Sequence, residues 1–431
     1  MLIGKSNRIA VEELSERTEL MMKGKINTID LFAGCGGLLD GFLQEGSYNS
    51  LACVEWELYP CLTLANRLKS KWGHKNADKE VIRFDIQRTD ELFNGFDDEE
   101  YGKHKGLDSI VGKKIVDVII GGPPCQAYSL AGRIRDANGM RNDYRNYLFE
   151  SYLKVVTHFK PKFFVFENVI GMLSAAPDGT PIVDKIRKAF NEAGYIVTDD
   201  FKNALFDVAD FGIPQHRNRV IILGIRKDAF QTTEVINSIL NDFYNVLMPK
   251  YMGKTRTVRD AISDLPPIYP SKDIIRTGGR KYSHAPISND NVLNHSPRFH
   301  SERDQHVFAM LAEDIESGVN RYTSIEALKA LYTKVTGKVS NIHKFYVLRW
   351  DEPSNTIPAH LYKDGLRHIH PDSKQARSIT VREAARLQTF ADDFEFLGSQ
   401  MAQYKMIGNA VPSQFAKIIA SSLHSLIKKY C

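Results

Sequence analysis

The sequence is poor in cysteine. Its 431 residues include five, Cys35, Cys53, Cys61, Cys125 and Cys431, and no two of them form a Cys-x-x-Cys pair. An odd number of unpaired cysteines argues against a disulfide scaffold and against a zinc site built from thiolates. The cysteines therefore predict a protein of a reducing compartment.

Long apolar runs and a strong charge of either sign are also missing. No run reaches the roughly 18 apolar residues of a membrane span, and charges throughout residues 1–20 do not fit a signal peptide. Hydrophobic residues make up 43% and charged residues 25%, as in globular proteins, with a net charge of +5. We expect a cytoplasmic protein of two or three domains, with a mild basic bias that a polyanionic partner would suit.

Short apolar runs alternate with helical patterns from residue 26 onward. This alternation predicts an α/β fold with a parallel, Rossmann-like sheet, whose ligands bind beyond the carboxyl ends of the strands. The expected strands are 28–32, 50–54, 81–84, 115–120, 163–166 and 220–225. The expected helices between them are 38–43, 60–69, 147–158 and 182–193.

Two segments break this alternation. Residues 87–114 are charged and contain glycine, which predicts a solvated surface insertion. Residues 250–349 contain 16 Lys and Arg against 10 Asp and Glu, and they lack clear βα alternation. They predict a smaller, basic domain inserted into the larger one. The expected parts of the chain are an arm (1–25), the first part of the large domain (26–246), the inserted domain (247–377) and the rest of the large domain (378–431).

Regular structure returns near the end of the chain. Thr380 and Glu383 have the spacing of a capping box and predict a helix over 381–390. After Pro412, apolar residues at helical spacing predict a final helix that packs back onto the large domain. These residues are Phe415, Ile418, Ile419, Leu423 and Leu426.

A glycine-rich turn follows the first expected strand, in the sequence DLFAGCGG (30–37). Glycines at such a turn let a ligand approach the backbone closely. The dinucleotide motif G-x-G-x-x-G would need glycine where Leu39 stands, and the phosphate-loop sequence Gly-Lys-Ser/Thr is absent. The turn predicts a ligand site, but neither a nicotinamide nor a triphosphate.

Chemically capable side chains follow other strands. Glu55 and Trp56 end the second strand, where an acid can bond ribose hydroxyls and an indole can stack on adenine. Cys125, after two prolines, is typical of a presented nucleophile, and Glu167 at the end of the next strand can share its pocket. Arg217 and Arg219 alternate onto one face, and a cation pair suits a carbonyl or a phosphate. Each feature taken singly also fits an ordinary structural role.

The order of these blocks resembles the DNA (cytosine-5) methyltransferases over almost the full length, from about residue 27 to 428. The matching blocks are DLFAGCGG, VEW (54–56), FDI (84–86), GGPPCQAYS (121–129), FENV (166–169), QHRNR (215–219), RSITVREAARLQTF (377–390) and GNAVP (408–412). PPCQ, then ENV, then Q-x-R-x-R is a highly specific combination, although each piece alone is not.

The resemblance implies methyl transfer from S-adenosylmethionine to carbon 5 of a flipped cytosine in duplex DNA, leaving S-adenosylhomocysteine and needing no metal. Cys125 would attack carbon 6, Glu167 would hold ring N3, and Arg217 and Arg219 would grip the base carbonyl. The residues implied to bind the cofactor are Phe32, Gly34, Gly36, Glu55, Trp56, Asp85, Ile86, Asn409 and Val411.

The same resemblance implies a DNA-binding surface. Gln126 and Ser129 would lie on a mobile loop that closes on DNA, Thr356 would lie beside the backbone of the flipped nucleotide, and residues 247–377 would be the target-recognition domain. Its local basic excess suits phosphate contacts. A compact enzyme of this kind is typical of a bacterial or phage restriction–modification system, acting as a monomer beside a separate cognate endonuclease.

The pair His368-x-His370 has the spacing of two metal ligands, but the sequence offers no third ligand for it.

Two alternative functions stay open. The tRNA-directed relatives carry an additional Cys-Phe-Thr block, but the only cysteine after Cys125 is Cys431. The unrelated RNA cytosine methyltransferases use a second cysteine where this chain has Glu167. Both observations favour DNA as the substrate. A catalytically dead relative is the other alternative, although every expected block is present.

Overall fold

One sheet organises the first half of the chain. The computed structural model describes residues 24–124, 148–176, 179–286, 292–341, 344–363 and 365–431. Within these residues the strands are, in chain order, β1 (Ile26–Leu31), β2 (Tyr48–Glu55), β3 (Val81–Arg83), β4 (Phe96–Asp98), β5 (Gly102–His104), β6 (Val118–Gly121), β7 (Phe163–Val169), β8 (Tyr195–Ile196), β9 (Leu205–Asp207), β10 (Asn218–Arg226), β11 (Ile268–Thr277) and β12 (Arg280–Pro286). All six expected strands are present.

The sheet has the order β3-β2-β1-β6-β7-β10-β8, and β9 pairs with β10. Strands β3, β2, β1, β6 and β7 are parallel, which confirms the α/β prediction. Strand β10 is antiparallel to β7, with Ile221 opposite Glu167 and Arg219 opposite Val169. The expectation of an all-parallel sheet was therefore wrong for β10, because a strand buried on both faces is apolar in whichever direction it runs.

The helices of the described residues cover the sheet and build the second half of the chain. They are, in chain order, α1 (Gly37–Glu45), α2 (Leu58–Ser70), α3 (Ala77–Glu80), α4 (Thr89–Asn94), α5 (Gly106–Val111), α6 (Leu148–Phe159), α7 (Ile182–Glu192), α8 (Thr233–Asn241), α9 (Val258–Ile262), α10 (Glu302–Glu316), α11 (Ile325–Thr336), α12 (Val381–Leu387), α13 (Gln400–Asn409) and α14 (Ser413–Tyr430). Among them, no helix is long and apolar enough to cross a membrane.

The last helix completes the core of the sheet domain, as predicted. The five apolar residues that predicted α14 are all buried in the same hydrophobic core as β1, β2 and α1. The Tyr48 hydroxyl donates to the Ala420 carbonyl oxygen at 2.9 Å, which ties β2 to α14. Gly41 of α1 has no space for a side chain because Ala416 and the Ser413 carbonyl lie against it.

The capping box at the start of α12 is also confirmed, since the side chains of Thr380 and Glu383 each accept from the other's backbone N–H. The helix ends at Leu387, earlier than the predicted residue 390. Thr389 has a φ of +59°, in the left-handed region, and this turns the chain out of the helix.

Residues 87–114 form an insertion between β3 and β6, as predicted, but the expectation that it is only a solvated loop was wrong. The segment forms α4, the hairpin β4–β5 and α5. Leu92, Phe93, Phe96, Leu107 and Val111 are buried in the core of the sheet domain. The charged residues between them hide the apolar pattern, because elements of three to six residues are too short to show a period.

Residues 247–410 add two further hydrophobic cores. One combines residues of α9, Leu265, 348–361 and 379–407 with Cys35 of the glycine-rich turn. The other combines α10, α11 and neighbouring strand-like segments, including Phe345 and Ile369. The domain boundaries at 247 and 377 stay a prediction, and the core that contains α12 also contains α9 from the other side of the second boundary.

Candidate active site

A cavity of about 920 Å³ lies at the edge of the sheet where β1, β2, β6 and β7 end. This is a usual size for a small-molecule site. Twelve residues that the sequence assigned to the site line it: Phe32, Gly34, Glu55, Trp56, Asp85, Ile86, Glu167, Arg217, Arg219, Thr356, Asn409 and Val411. The residues expected around the cofactor and those expected around the base thus face one continuous space.

The glycine-rich turn after β1 forms one wall. Phe32 and Gly34 both have positive φ, +56° and +55°, and the Gly34 N–H donates to Glu55 Oε2 at 2.8 Å. Gly36 also has a positive φ but does not line the cavity, and a Cβ there would lie 2.5 Å from Leu64 Cδ1. In its place Gly37 lines the wall, against the Val411 carbonyl oxygen.

Glu55 organises the turn that follows β2. Its Oε1 accepts from the backbone N–H groups of Trp56 and Glu57, at 2.9 and 2.8 Å. Burial raises the pKa of the Glu55 carboxyl, which these backbone donors partly oppose. The Trp56 side chain remains 48% exposed, so its indole is available to a ligand.

Asp85 and Ile86 form the wall beyond β3. Asp85 Oδ1 accepts from the Gln87 N–H at 3.0 Å, which fixes the carboxylate at the start of the insertion. The preceding residue, Phe84, is 1% exposed, lines the cavity and donates its N–H to the Glu55 carbonyl oxygen at 3.0 Å. The walls after β2 and β3 are therefore joined.

Asp30 is a cavity residue to which the sequence analysis gave no role. Its carboxyl group is 1% exposed, and neither oxygen has a hydrogen-bond partner. Burial, with a contribution from the nearby Glu55, raises the pKa of Asp30 well above its usual range. A carboxyl group between the apolar residues Ile29 and Leu31 of β1 was a signal that could have singled it out.

The segment Gly122-Pro123-Pro124 brings the chain from β6 to the cavity, which all three residues line. Gly122 lies against Glu167, and a Cβ at Gly122 would be 2.5 Å from Glu167 Oε2. Cys125, the expected nucleophile, follows directly but lies outside the described residues, as do Gln126 and Ser129.

Glu167 and Arg219 form an ion pair, with Arg219 Nε 2.6 Å from Glu167 Oε1 and both side chains nearly buried. They meet because β10 is antiparallel, so its start lies at the edge where β7 ends. Burial lowers the pKa of Arg219, and the carboxylate of Glu167 opposes that shift. Their roles in catalysis stay a prediction.

Arg217 has a different environment from Arg219. Its Nη1 donates to the Ile357 carbonyl oxygen and its Nη2 to those of Gly408 and Ala410, all at 2.9 Å. Burial, with the nearby charge of Arg219, lowers the pKa of Arg217 well below its usual range. Arg217 therefore ties the start of β10 to two other backbone segments around the cavity, at 357 and at 408–410, which its motif did not reveal.

Gln215 and Gln388 extend this connection; both stand in the matching sequence blocks, but the motifs gave neither a role. Gln215 Nε2 donates to Gln388 Oε1 at 3.0 Å, while Gln215 Oε1 accepts from the Ile357 N–H at 2.8 Å. Thr356 Oγ1 donates to the His216 carbonyl oxygen at 2.6 Å. The block around Thr356 is thus bonded directly to the start of β10.

The pair His368 and His370 lacks a third metal ligand in the sequence, and the structure shows what surrounds it. His368 and His370 are both buried, and His370 Nε2 lies 3.6 Å from Glu383 Oε1, which is itself paired with Arg377. Across the described ranges, no three His, Cys, Asp or Glu side chains are grouped to hold a metal ion.

Comparison with known families shows the family to which the chain belongs. The family model for C-5 cytosine-specific DNA methylase matches residues 26–425, nearly the whole chain. The chain belongs to this family. It is therefore a DNA (cytosine-5) methyltransferase, and the prediction from the order of the motifs is confirmed.

Relatives of this methylase include named type II methyltransferases. M.Bpa9945I of Bacillus paralicheniformis is 32% identical over 453 residues, covering 93% of this chain and 98% of the relative. M.DdeI of Desulfomicrobium norvegicum is 30% identical, covering 92% and 88%. M1.HphI of Haemophilus parahaemolyticus is 31% identical, covering 92% and 86%.

Solved structures agree on the fold of the methylase. A protein from an E. coli prophage, described as a candidate DNA modification methyltransferase, is 23% identical with a TM-score of 0.60, covering 94% of this chain and 100% of that one. The methyltransferase EhMeth of Entamoeba histolytica is 15% identical with a TM-score of 0.52, covering 94% and 98%.

Proposed function

We propose that this methylase transfers the methyl group of S-adenosylmethionine to carbon 5 of a flipped cytosine within a specific duplex DNA sequence, through a covalent bond from Cys125 to carbon 6. The observation that carries the proposal is the shared cavity. It joins Glu55, Trp56 and Asp85 to the Glu167–Arg219 pair without a wall between them. Donor and acceptor of a methyl group must meet in one such space.

The residues fit S-adenosylmethionine, whose sulfonium supplies the methyl group. Glu55 Oε2 holds a single backbone N–H and keeps capacity to accept from ribose hydroxyls. Asp85 would accept from the adenine amino group, the exposed indole of Trp56 would stack on the ring, and Phe32 and Ile86 would complete that wall. Asn409 and Val411 would close the methionine side. Asp30, with two unpaired oxygens, offers a buried acceptor for a cationic group.

Cys125 would act as the nucleophile. Its thiolate adds to carbon 6, and the electron pair of the 5–6 double bond makes carbon 5 nucleophilic toward the methyl group. Glu167 would hold ring N3 and limit negative charge on the ring, while Arg219 would hold Glu167 and the base carbonyl. After transfer, the proton on carbon 5 leaves, the double bond reforms and the thiolate is released. Arg217 would support this arrangement through its three carbonyl contacts.

Residues 247–377 would recognise the DNA, and Thr356 within them would lie beside the backbone of the flipped nucleotide. Gln126 and Ser129 would contact the target from the loop that follows Cys125. In the hairpin β11–β12, the basic side chains of Lys272, Arg276, Arg280 and Lys281 are exposed and suit phosphate contacts. The type II relatives support a role in bacterial restriction–modification, with a cognate endonuclease acting separately and the methylase working as a monomer on DNA in the cytoplasm.

The test is transfer of labelled methyl groups to mixed-sequence duplex DNA and to tRNA by the wild-type protein and Cys125→Ser. Cys431→Ser is the matched control, because Cys431 is an exposed free cysteine at the end of α14. We expect 5-methylcytosine in DNA with the wild type and the control and none with Cys125→Ser, which still binds S-adenosylmethionine. Labelling of tRNA alone would overturn the DNA assignment, and no labelling of either substrate would favour a catalytically dead relative.

A further inference from the structure

The insertion at residues 87–114 begins immediately after Asp85 and Ile86. All its residues are described, and none of them lines the cavity. Its buried side chains nevertheless reach the back of the cavity wall. Phe84 is the contact point, since this residue follows β3 directly, lines the cavity, and stacks its ring on Phe96 of the insertion.

Three side chains of the insertion enclose the Phe84 ring. Phe96 stacks on it with centroids 3.9 Å apart and planes 13° apart. Tyr101 meets it edge-on at 5.2 Å, and the Arg88 guanidinium lies 4.7 Å from the ring centroid. Aromatic stacking and cation–π contacts both hold a ring in one orientation.

The enclosing side chains are themselves fixed. Arg88 Nη1 bonds to Asp98 Oδ2 at 2.7 Å, which connects α4 to the hairpin β4–β5. The Arg88 N–H also donates to the Asp85 carbonyl oxygen at 3.1 Å. The insertion therefore constrains the wall at two points, the Phe84 ring and the Asp85 backbone.

We propose that the insertion is a structural part of the cofactor site and that Phe96 is a positioning residue for it. By holding Phe84, Phe96 keeps Asp85 and Ile86 where the adenine end of S-adenosylmethionine binds. This inference rests on the proposed function. It assigns to the insertion a role in binding the cofactor and none in contacting DNA or in the chemical step.

The chain supplies a matched control in Phe93. It belongs to the same insertion and is buried to the same extent, 9% exposed against 8% for Phe96. Its ring stacks on His158 at 3.9 Å and 9°, away from Phe84. Phe93→Ala and Phe96→Ala thus remove the same side chain and a similar stacking contact, but only Phe96→Ala frees the cavity wall.

The experiment measures the dissociation constant of S-adenosylmethionine by calorimetry, with KM and kcat on DNA, for the full-length wild type and both variants. We expect Phe96→Ala to weaken cofactor binding about tenfold, the upper end for one lost aromatic pair. Its kcat at saturating cofactor and its affinity for DNA should stay within about twofold of wild type. Phe93→Ala should bind the cofactor like the wild type. Should Phe96→Ala fail to fold, Phe96→Leu keeps apolar bulk without a flat face and should show the same loss.

Equal cofactor affinities in the Phe96 and Phe93 variants would overturn the inference and leave the proposed function intact. So would a loss in Phe96→Ala that appears in kcat alone. A wild-type protein that does not bind S-adenosylmethionine would overturn the proposed function and this inference with it.

Discussion

Arg219 and Glu167 face each other across two strands that run in opposite directions, with Arg219 Nε 2.6 Å from Glu167 Oε1. The reversal of β10 brings the start of that strand to the catalytic edge. A parallel β10 would place the same arginine at the far edge of the sheet. The direction of one strand is therefore what completes the pair.

Replacing Arg219 should impair the chemical step. We expect Arg219→Ala to lower kcat by about a hundredfold, because it removes a preorganised positive charge from a nearly buried site. Arg226 lies at the other end of β10 and pairs with the exposed Asp228, so Arg226→Ala is the control and should retain kcat. Steady-state methylation of DNA measures both. Equal kcat values for the two variants would contradict the role given to Arg219.

A methyl group added at Gly122 should displace Glu167. The Cβ of Gly122→Ala would lie 2.5 Å from Glu167 Oε2, so the carboxylate must move. We expect a large loss of kcat with cofactor binding retained. Gly253→Ala adds the same atom where nothing lies within 4 Å and should leave activity unchanged. The idea fails if Gly122→Ala methylates DNA at the wild-type rate.

Arg217 should contribute mainly to stability. Arg217→Met leaves the carbonyls of Ile357, Gly408 and Ala410 without this donor and should lower the free energy of unfolding by about 3 kcal/mol. Arg217→Lys should recover little, since one ammonium cannot reproduce the planar fork. The exposed Arg256 donates to a single carbonyl, so Arg256→Met is the control. Urea denaturation gives the comparison, and equal midpoints would refute the prediction.

Acid should destabilise the fold through buried histidines. Burial lowers the pKa of His300, His368 and His370 to about 3 in each case. Between that value and an unfolded pKa of about 6.5, only the unfolded chain binds these protons, so stability falls as the pH falls. Each histidine should lower the free energy of unfolding by about 1.4 kcal/mol for every pH unit below pH 6.5.

The matching variant is His300→Gln, whose amide oxygen can accept from the Ser378 N–H as His300 Nε2 does at 3.2 Å. In this variant about one proton fewer should be taken up on unfolding, so the free energy of unfolding should depend less steeply on pH. His306 is exposed, and His306→Gln should leave the slope unchanged. An unchanged slope in His300→Gln would contradict the argument.

The sequence predicted the elements that have a clear period and the residues that carry motifs. All six strands and the final helix formed where apolar spacing placed them, and twelve expected site residues line one cavity. Gly36 does not line the cavity, because the Leu64 side chain packs against that glycine. A motif identifies such a turn without telling which of its glycines faces the ligand.

Features that depend on distant contacts could not be predicted. The direction of β10 follows from pairing with β7, which leaves no mark on an apolar run. The different surroundings of Arg217 and Arg219 depend on segments near 357 and 410, far along the chain. Burial of Phe96 depends on Phe84, and charged neighbours concealed it.

The packing of α14 against α1 also has a consequence for how the protein is made. The core around β1 and α1 stays incomplete until residues near 420 have been synthesised, some 375 positions after α1 ends. At about 5 to 20 residues per second, that interval lasts about 20 to 75 s. During this time the first strands lack the helix that covers them, so the nascent chain exposes apolar surface to which a chaperone could bind before α14 does.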